Sequence, residues 1–273
     1  MARILDYSGR EADRTATVAS IVGLKGQDTR YAQVTAGSAE EADAAEAAGI
    51  EMLVCMAQSV PAVREGSARA FLTAAIDFGG EVTPDDLLAT ALTVLGQGAD
   101  AVITARRLAA VELLAEEDIP VMGHLGFVPK KSTLFGGVRG VGKTAEEARD
   151  LWDRFRRLED AGAFAVECEL IPANVMAEIN TRTGLATISL GSGPDANVMF
   201  LFTNDICGED PRRPRHARQY ADLAALRRQV ADERTRALTA FREDIVSGGF
   251  PDVSEVVMAD DAEVERFRRL IAD

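Results

Sequence analysis

The amino-acid sequence predicts an α/β fold, a (βα)8 barrel, with a helix before the barrel and a helical extension after it. Short apolar runs of strand length alternate with helical patterns along most of the chain, which is typical of a closed parallel sheet. A length of 273 residues suits one such barrel, and 47% apolar residues can fill a large core. We therefore expect one domain over 1–273, with the barrel at about 31–205 and the tail at about 208–273.

The predicted elements follow one another in order after a polar lead-in and a short helix at 17–24. Apolar runs predict strands at 31–36, 52–56, 70–76, 100–104, 119–123, 163–169, 186–190 and 198–202. Helical patterns occupy 39–48, 83–96, 106–117, 144–160 and 172–183. Thr83 with Pro84 marks one helix start, and Thr144 with Glu147 three residues on is the signature of a capping box. A charged helix at 217–247 and a last short helix form the tail.

The charge, the hydropathy pattern and the cysteine usage narrow the binding partners and the cellular compartment that we expect for this protein. Acidic residues exceed basic ones by 44 to 30, giving a formal net charge of -14, which opposes non-specific binding to nucleic acid or to an anionic membrane. No apolar run approaches the roughly 18 residues of a membrane span, and the N-terminus has no signal-like apolar core. The three cysteines show no metal-site spacing. We expect a soluble, cytoplasmic protein with reduced thiols and a small-molecule substrate.

Polar side chains at the carboxyl ends of the predicted strands are the candidates for a site, because the reactive groups of such barrels lie there. The second strand ends in Cys55 and Met56, and the third is followed by Asp77. The fifth leads into His124 within the stretch PVMGHLGFVP at 120–129. The sixth ends with Glu167 and Glu169.

Glu167 and Glu169 are the most informative of these residues. Because they are two apart, a strand places both side chains on one face, separated by roughly 6 to 7 Å. Inside the barrel, burial would raise carboxylate pKa values and suit one of them to act as a general base. The alternative, that both face outward and are solvated, is weakened because parallel-barrel strands are covered on both sides.

The remaining candidates each allow two interpretations. His124 can hydrogen-bond a substrate oxygen or ligate a metal, or it can simply be satisfied by nearby backbone. Asp77 can ligate a metal or cap the turn that follows it. Cys55 has no base near it in the sequence, which favours a buried, inert thiol over a nucleophile.

Several motifs together resemble the ketopantoate hydroxymethyltransferase family, within the isocitrate lyase and phosphoenolpyruvate mutase superfamily of (βα)8 barrels. The resemblance covers most of 17–256, and its motifs occur in the family's order. They are PVMGHLGFVP at 120–129, the Gly136-Gly137 loop, LEDAGAFAVECELIPANVMAEI at 158–179, TISLGSGPD at 187–195, NDICG at 204–208, RQYADLAALRRQV at 218–230 and VSGGFP at 246–251.

The resemblance implies a magnesium-dependent transfer of a hydroxymethyl group from methylene-tetrahydrofolate to a branched 2-oxo acid, in a ring-based homo-oligomer. It implies that Glu169 is the base that forms the enolate and that His124 contacts the substrate. It also implies that the family's metal-binding and substrate-binding polar groups fall on Met56, Ala57, Ala75, Ile103 and Ala105, none of which carries a polar side chain.

These departures leave three functions to weigh. The first is a diverged enzyme without the family's metal site, with Glu169 as base and His124 as its hydrogen-bonding partner. It would do acid-base or carbon-carbon bond chemistry on a small carbonyl or carboxylate substrate that contacts Met56, Ala57, Asp77, Ile103 and Glu167. The second is a genuine 3-methyl-2-oxobutanoate hydroxymethyltransferase with magnesium relocated to Asp77, Glu167 and Glu169. The third is a non-catalytic barrel retained for assembly.

Overall fold

The computed structural model describes residues 3–76, 80 and 82–272, and it confirms the predicted barrel. Eight parallel strands close in the order β10-β3-β4-β5-β6-β7-β8-β9. They are β3 (Tyr31–Thr35), β4 (Met52–Met56), β5 (Phe71–Ala75), β6 (Ala101–Ile103), β7 (Val121–Gly126), β8 (Ala165–Glu169), β9 (Ala186–Leu190) and β10 (Val198–Leu201). A small antiparallel hairpin, β1 (Ile4–Leu5) with β2 (Glu11–Ala12), comes before the barrel; its two-residue strands are too short to leave a periodic signal.

Helices follow the strands as the sequence pattern indicates. They are α1 (Val18–Val22), α2 (Ala39–Ala47), α3 (Val60–Gly66), α4 (Pro84–Gly96), α5 (Leu108–Glu116), α6 (Ala145–Asp160), α7 (Ala173–Asn180), α8 (Thr203–Cys207), α9 (Leu223–Ser247) and α10 (Asp261–Leu270). The side chains of Thr83 and Thr144 cap α4 and α6. The carboxylate of Glu147 accepts hydrogen bonds from the backbone N–H groups of Gly142 and Lys143, so the predicted box around Thr144 is only half formed. The short helices α3 and α8 were not predicted.

The chain divides into two compact units, residues 1–221 and 222–273. The first contains the barrel. The second contains α9 and α10, and within it the rings of Phe241 and Phe250 meet edge to face with centroids 5.2 Å apart. The single domain expected over 1–273 stays a prediction. No helix in the described part of the chain has the length and apolar character needed to span a membrane.

The strand register stacks the lumen side chains in layers, because alternate residues of each strand point inward and alternate strands share a level. One layer, deeper in the lumen than the three described next, contains Thr73, whose hydroxyl lies 3.5 Å from the sulfur of Met122. Above it three layers open toward the carboxyl ends of the strands. They are a floor of Val54, Ile103, Glu167 and Phe200, a wall of Thr35, Ala75, His124 and Leu190, and a rim of Met56, Ala105, Glu169 and Phe202.

A buried ion-pair network stabilises the opposite end of the barrel. The carboxylate of Asp100 lies 2.8 Å from Arg14 and 2.9 Å from Arg64, with all three side chains at most 15% exposed. The same carboxylate accepts a hydrogen bond from the N–H of Leu72 on β5. Asp100 therefore joins the N-terminal segment and α3 to the start of the strands.

Replacing Asp100 by Asn should lower the free energy of unfolding by about 3 kcal/mol, because two buried guanidinium groups would lose their counter-charge. Urea denaturation followed by circular dichroism measures the effect. The matched control is Asp153→Asn, which breaks an exposed ion pair with Arg149 on α6 and should cost less than about 0.5 kcal/mol. Equal small losses in both variants would contradict a stabilising role for the network.

Candidate active site

A cavity of about 440 Å³ opens at the carboxyl ends of the strands. The floor, wall and rim layers all line it, and residues of the loops after β3 and β10 complete its mouth. Most of its surface is apolar, with His124, Glu167 and Glu169 grouped on the side formed by β7 and β8. The cavity is therefore open to a small ligand, with its ionisable groups on one side.

His124 and Glu169 form the central pair of this site. The Nε2 atom of His124 lies 3.1 Å from Oε2 of Glu169, and the two side chains are only 11% and 12% exposed. The pairing follows from strand register, since His124 lies beside Glu167 and Gly126 beside Glu169. Gly126 has a positive φ of 88°, and a Cβ atom there would lie 2.2 Å from the carbonyl oxygen of Glu169. Glycine at 126 thus allows β7 to approach the end of β8 closely.

Glu167 lies one layer deeper than Glu169 and in a different environment. Glu167 is 6% exposed, and its carboxylate lies 3.8 Å from Nε2 of His124. Burial raises the pKa of Glu167; the neighbouring His124 opposes this shift and Glu169 adds to it. The two glutamates therefore differ: one is hydrogen-bonded to an imidazole at the rim, and the other is buried in conditions that favour the neutral acid.

The opposite side of the cavity is hydrocarbon and sulfur. Met56, Ala75, Ile103 and Ala105 line it, and these are positions at which the resemblance implies polar groups. A thioether, methyl groups and a sec-butyl group supply none of the oxygen ligands that magnesium requires. The side chains present at these four positions do not fit a magnesium ion.

His124, Glu167 and Glu169 form the group of described residues whose ligand atoms are close enough to hold a metal ion, within 4.8 Å of one another. An imidazole with two carboxylates is a donor set more typical of first-row transition metals than of magnesium, which prefers octahedral oxygen ligands. Because the two carboxyl groups are so close, one of them, as a carboxylate, can remove a proton from a ligand while the other, as a neutral carboxylic acid, donates a hydrogen bond to the same ligand.

The structure brings together five of the seven residues that the sequence singled out for the site. His124, Glu167, Glu169, Met56 and Ile103 all line the cavity. Ala57 instead begins a 3-10 turn and packs against the core cluster outside the barrel lumen. Asp77 lies outside the described residues.

Two neighbouring positions also need comment. Cys55 is buried, as interpreted from the sequence, and burial raises the pKa of its thiol to about 12, which makes it a poor nucleophile. Sequence reasoning missed Phe200 and Phe202, whose rings lie 5.3 Å apart in the cavity. Their spacing of two at the end of the eighth barrel strand could have identified them, because it places both on the lumen face.

The chain is similar in sequence to proteins of known family. The sequence model of the ketopantoate hydroxymethyltransferase family matches residues 53–253. The 3-methyl-2-oxobutanoate hydroxymethyltransferase of Thermobifida fusca is 32% identical over 270 residues, 89% of this chain and 94% of the relative. That of Gloeobacter violaceus is 40% identical over 171 residues, 60% and 66% of the two chains.

Solved structures share the fold. A 2,3-dimethylmalate lyase, described as a member of the PEP mutase/isocitrate lyase superfamily, matches with a TM-score of 0.51 at 15% identity. The match covers 93% of this chain and 95% of that one. A phosphonomutase-like protein of Burkholderia cenocepacia gives a TM-score of 0.54 at 12% identity, over 82% of this chain and 99% of that one.

The raised pKa of Glu167 predicts a specific dependence of stability on pH. Above the ordinary value of 4.5, the unfolded chain releases this proton while the folded protein still holds it, so the wild type loses stability as pH rises toward the folded pKa. Glu167→Gln has no such proton. The wild-type free energy of unfolding minus that of the variant should therefore fall as pH increases above about 4.5, as measured by urea denaturation from pH 4.5 to 8.

A matched control is Glu178→Gln on α7, where the side chain is exposed and paired with Arg182. Its stability should follow the wild-type curve across the same range. If Glu167→Gln also runs parallel to the wild type, Glu167 is not held in a desolvated environment.

Proposed function

Because the chain belongs to the ketopantoate hydroxymethyltransferase family, we propose that it is a diverged enzyme that removes a proton from the carbon next to a carbonyl group. One observation carries the proposal: the paired His124 and Glu169 face an open, mainly apolar cavity at the mouth of the barrel. A collapsed lumen filled by Met56 and Ile103 would instead favour a non-catalytic barrel. The cavity of about 440 Å³ supports catalysis.

Glu169 is the proposed general base. Its carboxylate lies at the rim, where the carbon of a bound substrate can reach it, and His124 fixes its orientation through the 3.1 Å contact. With Nε2–H of His124 donating to one oxygen of Glu169, the second oxygen can accept a proton from the substrate. Glu169 gains the proton, and the electron pair of the broken C–H bond moves onto the carbonyl oxygen as an enolate.

Glu167 is the proposed hydrogen-bond donor to that oxygen. Its burial in the floor layer favours the neutral carboxylic acid, and its ligand atom lies within 4.8 Å of those of Glu169 and His124. A neutral acid in a water-poor site donates a strong hydrogen bond to a developing oxyanion. Glu167 would thereby supply part of the stabilisation that a metal ion supplies elsewhere.

The lining of the cavity indicates the kind of group that binds there. None of the described residues that line it is lysine or arginine, while Glu41, Glu167 and Glu169 are acids. A free carboxylate placed beside Glu169 would be repelled and would have no counter-charge. We therefore infer that the reacting end of the substrate is an uncharged carbonyl group with apolar neighbours, held against Met56, Ile103 and Phe200. The enolate then attacks a carbon electrophile, or forms when a carbon-carbon bond breaks.

A second candidate is a 3-methyl-2-oxobutanoate hydroxymethyltransferase with a relocated magnesium site, the activity for which the relatives are named. Glu167 and Glu169, whose ligand atoms lie within 4.8 Å of each other, supply two of the three carboxylates of that relocated site; the third, Asp77, lies outside the described residues. It would require magnesium and methylene-tetrahydrofolate. The homo-oligomeric state implied by the family resemblance and the cytoplasmic location stay predictions.

Deuterium exchange tests the proposed proton abstraction. The wild type in D₂O should exchange the C3 hydrogen of methyl 3-methyl-2-oxobutanoate, an uncharged ester, faster than that of the free acid, because only the acid adds a charge beside Glu169. Glu169→Gln should slow the exchange by about a thousandfold, since it removes the base. The NMR signal of the C3 hydrogen measures the rate, and EDTA should leave it unchanged.

The matched control is Glu41→Gln, which removes a third carboxylate from the lining of the same cavity. Its exchange rate should stay within about threefold of wild type, because Glu41 accepts a hydrogen bond from the N–H of Gly37 rather than facing the base. Wild-type exchange in Glu169→Gln would reject the role of Glu169. Exchange that requires added magnesium would favour the second candidate, and absence of exchange would favour a non-catalytic barrel.

A further inference from the structure

A second cavity, of about 540 Å³, lies beside the first at the carboxyl end of β7. Three separate segments form it: the loop after β6 with the first turn of α5, the strand β7 with the 3-10 turn that follows it, and one face of α6. Ala105 and His124 line both cavities. A ligand in this cavity therefore lies next to the proposed reaction site.

The second cavity is strongly basic in a strongly acidic protein. The chain has a formal charge of -14, yet Asp150 is the one carboxylate among the described residues that line this cavity. The cationic side chains that line it are Arg106, Arg107, Lys131, Arg154 and Arg157. Such a concentration of one sign of charge in a concave site attracts counter-ions and charged ligands.

The cations differ in how far other described residues compensate them, and Arg106 donates a hydrogen bond to the carbonyl oxygen of Val82. Arg154 pairs with Asp150 at 2.8 Å, whereas Arg107 and Arg157 form no side-chain hydrogen bond or ion pair with another described residue. Lys131 is half-buried, and burial lowers its pKa, with a further contribution from Arg154. Holding like charges together in this way destabilises the protein unless an anion neutralises them.

The start of α5 adds to the attraction for an anion. Arg107 is the N-cap residue, no side chain caps the helix, and its first turn contains no acidic residue. Backbone N–H groups at the beginning of α5 are therefore left without an intrahelical acceptor, and Arg107, Leu108 and Ala109 line the cavity. This helix end and the guanidinium groups favour the same kind of ligand.

We propose that this second cavity binds a multiply charged oxyanion, a phosphate ester or a polycarboxylate, carried by a substrate or co-substrate whose uncharged end enters the barrel mouth. Arginine recognises both classes of anion through paired N–H donors. The binding of the anion stands on the geometry of the second cavity alone. The orientation of the uncharged end rests on the proposed function, because the catalytic cavity lacks a described cationic residue to hold an anion.

Isothermal titration calorimetry with inorganic pyrophosphate and with citrate tests the site at constant ionic strength. We expect saturable binding of at least one of them to the wild type. Tighter binding of pyrophosphate would identify a phosphate ester as the natural group, and tighter binding of citrate a polycarboxylate. The double variant Arg154→Gln, Arg157→Gln should weaken that binding about tenfold or more, because it removes charge-assisted hydrogen bonds.

A matched double variant separates a built site from general surface charge. Arg149→Gln with Arg156→Gln removes the same two charges from α6 and the same kind of ion pair, here with Asp153, but neither arginine lines the cavity. Its affinity should stay within about twofold of wild type. Absence of saturable binding of both anions to the wild type, or equal losses in the two double variants, would overturn the proposal.

The variant Glu169→Gln separates this inference from the proposed function. Its affinity for pyrophosphate or citrate should equal that of the wild type, because Glu169 does not line the second cavity. Anion binding without deuterium exchange would therefore keep the anion site and reject the base. Deuterium exchange without anion binding would keep Glu169 as the base and reject the anion site.

Discussion

Two carboxylates and an imidazole share a small, poorly solvated space at the mouth of the barrel, and this constraint governs the chemistry of the site. Their ligand atoms lie within 4.8 Å of one another. Water is too scarce there to solvate two carboxylate charges so close together, so one of the glutamates is favoured as a neutral acid. The depth of each residue decides which: Glu167 lies in the floor layer, and Glu169 lies at the rim in contact with His124. In the proposed mechanism, a single strand thus presents an acid and a base two residues apart.

Charge is distributed unevenly over the molecule, and the distribution bears on substrate choice. The overall charge is -14, the catalytic cavity is lined mainly by apolar atoms, and the neighbouring cavity collects five cations. A molecule with one anionic end and one uncharged end matches this arrangement. The anionic end would lie among cations and the uncharged end among apolar side chains, so each end would be compensated for the water that it loses. The shared residues Ala105 and His124 set where the two ends meet.

The sequence carried enough information for the barrel and for half of the site. The eight barrel strands are apolar runs bounded by turns, so their positions could be read directly, and the spacing of two between Glu167 and Glu169 placed both on one face of their strand. Helix α3 contains Pro61 and spans seven residues, which is too short for a clear helical period. The basic cavity could not be predicted, because Arg107, Lys131 and Arg154 come from separate segments that only the folded chain brings together. The depth difference between the two glutamates, by contrast, follows from their order along a strand whose carboxyl end lies at the mouth of the barrel.

The apolar side of the proposed catalytic cavity and the cations of the neighbouring cavity are physically connected. A metal ion in such a site performs two tasks: it stabilises the developing enolate by several kcal/mol, and it neutralises an anionic substrate. With Met56, Ala75 and Ala105 in place of oxygen ligands, both tasks need other groups. A neutral Glu167 can stabilise the enolate, because a hydrogen bond from a carboxylic acid stabilises an oxyanion in a water-poor site.

A neutral Glu167 cannot neutralise an anionic substrate, since it brings no positive charge. An anionic group on the ligand must then be neutralised elsewhere, and the cavity that shares Ala105 and His124 with the first one is lined by four arginines and Lys131. Under the two proposals, Glu167 in one cavity and the arginines of the other therefore divide between them the two tasks that a metal ion would perform alone.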